Sequence, residues 1–271
     1  MKKIFFILLA GTLFLISCKK SVVNSDEIPQ AVKDQIYAAG FGTKSIQKIE
    51  EGYLVEGDII LTQDWLDNNP ARQILRMANG EQYHTTNTVT GLPRNISLSL
   101  STKLMSKPGF IESLQETANR YNAVSGFDGI TFSIAAAGHG DINFVDGHFS
   151  SNTILGSSGF PNSRGEPYNT VKINASAMNS FATPDWISFL GQLFSHEVGH
   201  CIGFRHTDWF DRSIGGCGSG NEGAGGAGAI LIPGTPGMTN VDTDSWMLSC
   251  LSWPGHSFSN YDMIALAYLY P

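Results

Sequence analysis

Charge is scarce in this sequence. Asp, Glu, Lys and Arg make up 15% of its residues, against about 25% in ordinary soluble domains. Positive charge is the scarcer sign, with 17 Lys and Arg against 24 Asp and Glu and a formal net charge of −7. A polyanion is held by a clustered cationic face, and no basic run supplies one, so nucleic acid is excluded as a partner. Long apolar runs are missing as well. The longest, Ile4 to Ile16, falls short of the ~20 residues that span a bilayer. Cysteine occurs only four times in 271 residues, which excludes a small disulfide scaffold and leaves stability to a buried core. Glycine, in contrast, is abundant at 30 residues, so the surface is expected to be loop-rich and neutral.

The N-terminus reads MKKIFFILLAGTLFLISCKK. Two lysines followed by a short apolar run suit the h-region of a signal peptide. The end of that run, LISC, resembles a bacterial lipobox. The resemblance implies cleavage before Cys18, lipidation of its thiol and new amine, and a membrane anchor at the cell envelope; a plain secretory signal is the alternative. Lys19, where an inner-membrane sorting Asp would stand, points to the outer membrane. Three regions follow: residues 1–17 as leader, 18–90 as tether and prosegment-like region, and 91–271 as the main domain. Secretion places the three remaining cysteines in an oxidising compartment. Cys217, in a glycine-rich loop, and Cys250, just beyond DSWML, are the expected disulfide, because loop cysteines adjust to bridge geometry more readily than Cys201 on a helix. Cys201 fits a buried thiol.

From residue 91 the periodicity is clear. NISLSLS, GITFSIA, DINFV and NTVKINA read as strands. PGFIESLQETANRYNAVSG has Phe110, Ile111, Leu114, Ala118 and Tyr121 at helical spacing, and DWISFLGQLFSHEVGHCIGF forms a second long helix. The final SFSNYDMIALAYLYP is a third, capped by Ser257 or Ser259. The order predicts an α+β domain, one sheet backed by two long helices with a C-terminal helix. NTILGSSG, Asn152 to Gly159, is a candidate exposed edge strand or a surface loop.

The chemistry concentrates in SHEVGHCIGFRHTDW, where three histidines and a glutamate fall within eleven positions. His196 and His200 are four apart, so both imidazoles share one helix face and can grip one ion. Gly203 can end the helix in a left-handed conformation, letting the chain return with His206. Three neutral imidazoles suit Zn²⁺ and leave a fourth position open, as in catalytic rather than structural sites. Glu197 lies beside the ion without being a ligand.

The run HEVGHCIGFRH resembles the metzincin zinc-peptidase motif H-E-x-x-H-x-x-G-x-x-H. With the lipoprotein leader and the fuller run HEVGHCIGFRHTDWFDR, the chain is most similar to the bacterial dual-action HEIGH metallopeptidases, Val198 replacing the Ile of that name. The resemblance implies a metzincin-like catalytic domain over 91–271, with a twisted, mostly parallel sheet and an antiparallel edge strand. It implies a zinc endopeptidase acting on protein or peptide substrates, with His196, His200 and His206 as ligands and Glu197 as general base. Met247, 41 residues after His206, matches the methionine turn beneath the metal; a generic core methionine is the alternative. Thr207 stands where astacins have Glu, and no Tyr follows Met247 at the second position, so a tyrosine switch is not implied. The segment from Ala229 to Ser245 is expected to wall the pocket for the side chain after the cut.

YLVEGDIILT resembles the latency segment of astacin-type precursors, whose F-x-G-D motif sends an aspartate to the zinc. The resemblance implies that Asp58 blocks the open metal position until cleavage; an Asp in a strand-turn-strand is the alternative. His139, Asp141, Asp146 and His148 raise a second zinc or a Ca²⁺ site as a further expectation. Two competing functions remain, a non-catalytic zinc-stabilised surface adhesion lipoprotein and a zinc hydrolase of an ester bond. The chain is expected to be a monomer.

Overall fold

The structure, a computed structural model, describes residues 28–39, 41–68, 82–149, 151–178, 182–217, 229–236 and 240–271. The leader and Cys18 lie outside the described residues, as do parts of the linker and of the glycine-rich loop.

The N-terminal segment is an ordered unit. Helix α1 (Gln30–Ala38) precedes three short strands, β1 (Gln47–Ile49), β2 (Gly52–Val55) and β3 (Ile59–Leu61), followed by α2 (Gln63–Asn68). The strands pair in order as an antiparallel sheet. Val32, Ile36, Phe41, Val55, Ile59, Leu61 and Leu66 form its core, and Phe160 from the larger unit completes it. Removing such side chains from water is worth roughly 1.5–3 kcal/mol each, which explains how so short a segment holds a defined position.

The larger unit contains β4 (Tyr83–His84), β5 (Arg94–Leu100), α3 (Thr102–Met105), α4 (Phe110–Asn122), β6 (Ile130–Ile134), β7 (Ile142–Asp146), β8 (Gly156–Ser157), β9 (Thr170–Ile173), α5 (Pro184–Cys201), β10 (Ile230–Leu231) and α6 (Asn260–Leu269). Five strands form the main sheet in the order β6-β5-β7-β9-β8. All pairings are parallel except that of β8 with β9. The architecture is therefore α+β, with a mostly parallel sheet and an antiparallel edge strand. That edge strand is two residues of the longer stretch expected from sequence.

The two long helices pack on each other and on the sheet. Phe194 of α5 meets Phe144 of β7 at 4.7 Å and Phe110 of α4 at 5.8 Å between ring centroids. The Tyr121 hydroxyl donates to the Ser195 carbonyl at 2.7 Å, locking α4 to the helix that carries the histidines. Helix α6 starts in a capping box between Ser259 and Asp262. Among the described residues, no helix is long and apolar enough to cross a membrane. Residues 82–90, grouped by sequence with the N-terminal region, pack on the larger unit: β4 pairs with β10, and Val89 belongs to the main core. Cys217 and Cys250 form a disulfide with a Cα separation of 5.4 Å, and Cys201 is a buried free thiol.

Candidate metal centre

Helix α5 begins with Thr183 as N-cap, its side chain accepting from Trp186 N–H, and with Pro184 in the first turn, where a missing N–H costs nothing. The helix runs for eighteen residues to Cys201, and two residues beyond it Gly203 turns the chain at φ +111°. A Cβ there would lie 3.1 Å from the Asn87 carbonyl, so both conformation and space call for glycine. Beyond the turn the chain runs beside β4: Thr85 N–H donates to Gly203 O, and Arg205 N–H donates to Tyr83 O, both at 2.8 Å. This added strand delivers His206.

The three rings converge. His200 Nε2 lies 3.2 Å from His196 Nε2 and 3.3 Å from His206 Nε2. The opposite nitrogens of two rings are fixed by backbone: His196 Nδ1 donates to Trp246 O at 2.9 Å and His200 Nδ1 to Phe204 O at 2.8 Å. A carbonyl only accepts, so each Nδ1 carries a proton and each Nε2 is left to face the common point, where a cation can be held. Burial, reinforced by repulsion from His196 and His206, holds His200 well below the ordinary histidine range, which keeps it a neutral ligand.

Asp58 completes the cluster from the N-terminal unit. Its Oδ2 is 2.9 Å from His206 Nε2 and 3.6 Å from His196 Nε2. One atom from each of the four side chains falls within 4.8 Å of the others. Asp58 Oδ1 is buried with no hydrogen-bond partner among the described residues, an expensive arrangement that a cation relieves. Burial works against its ionisation. The His206 ring, hydrogen bonds with His196 and His206, and the His200 ring outweigh that effect and hold the carboxyl well below its ordinary range. Three imidazole nitrogens and one carboxylate oxygen make a donor set suited to zinc.

The turn that presents Asp58 is strained. Glu56 has φ +56° and Gly57 +97° between β2 and β3; the left-handed region costs an ordinary residue about 1 kcal/mol. Backbone bonds then tie this turn to the sheet edge: Ser158 N–H donates to Asp58 O at 2.9 Å and Ile60 N–H to Ser158 O at 2.5 Å. The N-terminal unit thus runs parallel to the chain at Ser158, within the stretch from Asn152 to Gly159 that the sequence offers as an edge.

Glu197 faces the same edge. Its Oε2 accepts from the Ser158 hydroxyl at 2.7 Å. Burial pushes its carboxyl well above the ordinary range, Asp58 adds to the rise, and the Ser158 hydroxyl opposes it. Gly156 leaves room for this carboxylate, since a Cβ there would lie 2.5 Å from Glu197 Oε1. Met247 is fully buried under α5, against Gly199, whose added Cβ would meet its sulfur at 2.5 Å. Its carbonyl accepts from Thr207 N–H at 2.8 Å. Trp246 N–H, in the same turn, donates to buried Asp262 at 2.9 Å.

A cleft of about 510 Å³ opens beside His196 and Glu197, with Leu155, Leu193 and Leu251 on its walls. Ser249, Cys250 and Leu251 with Cys217 also line it; of the stretch from Ala229 to Ser245 expected to wall a pocket, residues 237–239 lie outside the described residues and none of the others is among the lining residues. His139, Asp141, Asp146 and His148 do not assemble: Asp141 accepts from Ser97, Asp146 pairs with Lys103, and among the described residues the four-residue cluster at Asp58 is the only potential metal group. Sequence reasoning missed Ser158, the Trp246 and Phe204 carbonyls, and Glu56 with Arg205. Their partners lie far off in the chain or act through backbone atoms, which leave no local pattern.

The family described as dual-action HEIGH metallo-peptidase matches the chain over residues 53–270, a span that includes Asp58, the three histidines and Met247. No curated protein matches. Among solved structures, "Crystal structure of myroilysin" is 15% identical, covering 68% of this chain and 86% of that one at a TM-score of 0.41. "Structure of myroilysin" is 16% identical, covering 70% and 98% at the same score of 0.41.

Proposed function

The chain belongs to the dual-action HEIGH metallopeptidase family, and from that premise we propose that it is a zinc-dependent endopeptidase made as a latent precursor. The convergence of three Nε2 atoms on one point, with the Asp58 carboxylate at the same point, carries this reading. When bound, zinc supplies Lewis acidity that polarises a scissile carbonyl and acidifies water. His196, His200 and His206 hold it, in orientations set by the Trp246 and Phe204 carbonyls for the first two. Glu197 is the general base: a carboxylate raised by burial takes a proton from water and returns it to the leaving amine. Ser158 keeps that carboxylate aimed along the sheet edge. Met247 forms an apolar floor.

Protein or peptide substrate binds extended along the edge at β8, adding backbone hydrogen bonds. In the precursor, the segment that ends before β4 takes this place, with Asp58 at the metal; the end near residue 85 expected from sequence falls too late, because β4 pairs with β10 and belongs to the larger unit. The backbone bonds of Ser158 to Asp58 and Ile60 are those a substrate would make. The LISC sequence supports a lipid anchor at Cys18, holding the enzyme at the cell envelope on the outer membrane. Mass spectrometry of the purified chain tests this, since the anchor predicts an acylated N-terminal Cys18.

The catalytic reading is tested by Glu197→Ala. The variant should lose cleavage of a denatured-protein mixture after proteolytic activation while keeping its zinc. Unchanged cleavage would overturn the mechanism. A cation with a merely structural role would leave activity indifferent to this residue.

A further inference from the structure

The segment that carries Asp58 is held by a second, buried ionic contact that the metal centre does not use. One Arg205 guanidinium nitrogen, Nη2, donates to both oxygens of Glu56 at 3.0 and 2.9 Å. The two side chains are 0% and 1% exposed. Gly42 N–H adds a third bond to this carboxylate, at 3.1 Å. Arg212 Nη1 donates to the Glu56 carbonyl at 2.7 Å. The Arg205 guanidinium lies 4.5 Å from the Phe41 ring centroid and 5.9 Å from that of Trp209.

The groups divide by origin. Glu56, Gly42 and Phe41 belong to the N-terminal unit, whereas Arg205, Arg212 and Trp209 belong to the larger one. Departure of the segment therefore removes the carboxylate and one aromatic lid together. It opens the Arg205 guanidinium, a donor that already holds a carboxylate with two bonds, on the wall the segment vacates. The position is also tied to the reaction. Arg205 directly precedes His206, Glu56 stands two residues before Asp58, and Arg212 lines the cleft with His196 and Glu197. A carboxylate bound here is thus anchored within a few residues of the bond being cut.

We propose that Arg205, with Arg212 beside it, forms an acid-reading substrate subsite: Glu56 fills it in the precursor, and an Asp or Glu side chain of the substrate fills it once the segment leaves. The inference rests on the latent-peptidase reading and adds the substrate class, acidic peptides, whose carboxylate repeats the two bonds that Glu56 makes with this guanidinium. The Glu56 turn adopts a left-handed conformation to bring its carboxylate in, whereas an extended substrate bears no such strain.

The test uses the full chain, activated by limited proteolysis between residues 69 and 81, with N-terminal sequencing to fix the cut. Fluorogenic peptides are compared in matched pairs that place Glu or Gln at each position around the scissile bond. At one position Glu should raise kcat/KM by about tenfold or more, mainly through KM, as a charge-assisted contact does. Arg205→Gln should bring that ratio close to one, and Arg205→Lys should retain part of it. In the wild type the ratio should also fall as salt rises, a readout that stands if the Gln variant does not fold. Activated enzyme with no acidic preference at any position, or a preference that survives in Arg205→Gln, overturns the subsite. If activated protein cleaves no peptide of either kind, the latent-peptidase reading itself fails and the subsite falls with it.

Discussion

The Ser158 hydroxyl donates to Glu197 Oε2 at 2.7 Å and also to the Glu197 backbone carbonyl at 3.0 Å. One side chain on the sheet edge thereby fixes both the helix and the carboxylate of the proposed base. Ser158→Ala should lower kcat by about tenfold or more, the cost of a hydrogen bond to a charged group, with zinc content unchanged. Steady-state kinetics beside metal analysis decide it; wild-type kcat in the alanine variant would remove Ser158 from the mechanism.

Gly156 should be nearly as sensitive for a steric reason. An added methyl would lie 2.5 Å from Glu197 Oε1 and 3.0 Å from its Cδ, so the carboxylate must turn away. Gly156→Ala should cut kcat by at least about tenfold, because small misplacement of a base is costly, while thermal stability changes little. Full activity in this variant would show that Glu197 has room the structure denies it.

Asp58→Ala should raise the peptidase activity of the uncut chain, since the carboxylate leaves and the three histidines stay. The gain should remain below that of proteolytically activated protein, because Glu56 and the backbone bonds at Ser158 still hold the segment on the edge. Assay of intact protein, with its integrity checked by mass spectrometry, would show the gain. Activity no higher than that of wild type contradicts the latency role of Asp58.

Asp262 gives a pH prediction. Burial raises its pKa to about 6, while hydrogen bonds from Ser259 and Trp246 oppose the rise. The folded state therefore holds this proton more tightly than the unfolded chain, whose Asp titrates near ~4. The resulting stabilisation is complete below about pH 4 and is lost as pH rises to about 6, by roughly 3 kcal/mol. The stability difference between wild type and Asp262→Asn should shift in that window and be flat above about pH 7. Denaturant melts at pH 4, 5, 6 and 7 measure it; a pH-independent difference would refute the shift.

How far the sequence discloses this arrangement depends on the range over which each interaction acts. His196 and His200 share a helix face because 3.6 residues make a turn, and Gly203 marks the reversal that brings in His206; these are local rules, visible in fifteen residues. The strands of the main sheet show in alternation, as do the helices in their spacing. Strands β4, β8 and β10 have two residues each, too few to alternate, which is why residues 82–90 fall with the tether and prosegment-like region in the sequence. Asp58 stands out only through a resemblance, since nothing in GYLVEGDIIL itself says that the turn meets a helix 138 positions away. Ser158 with Glu197, and Glu56 with Arg205, are contacts between segments 39 and 149 residues apart. They follow from which edge the N-terminal unit covers, a tertiary outcome that no local pattern encodes.

The central claim is that three imidazoles hold one cation beside Glu197. Metal analysis of purified full-length protein, with matched His196→Ala, His200→Ala and Glu197→Ala variants, tests it most directly. The account predicts about one zinc per chain in the wild type and in Glu197→Ala, and loss of most of it in either histidine variant. Wild-type protein that folds without a stoichiometric transition metal, or histidine variants that keep theirs, would contradict it.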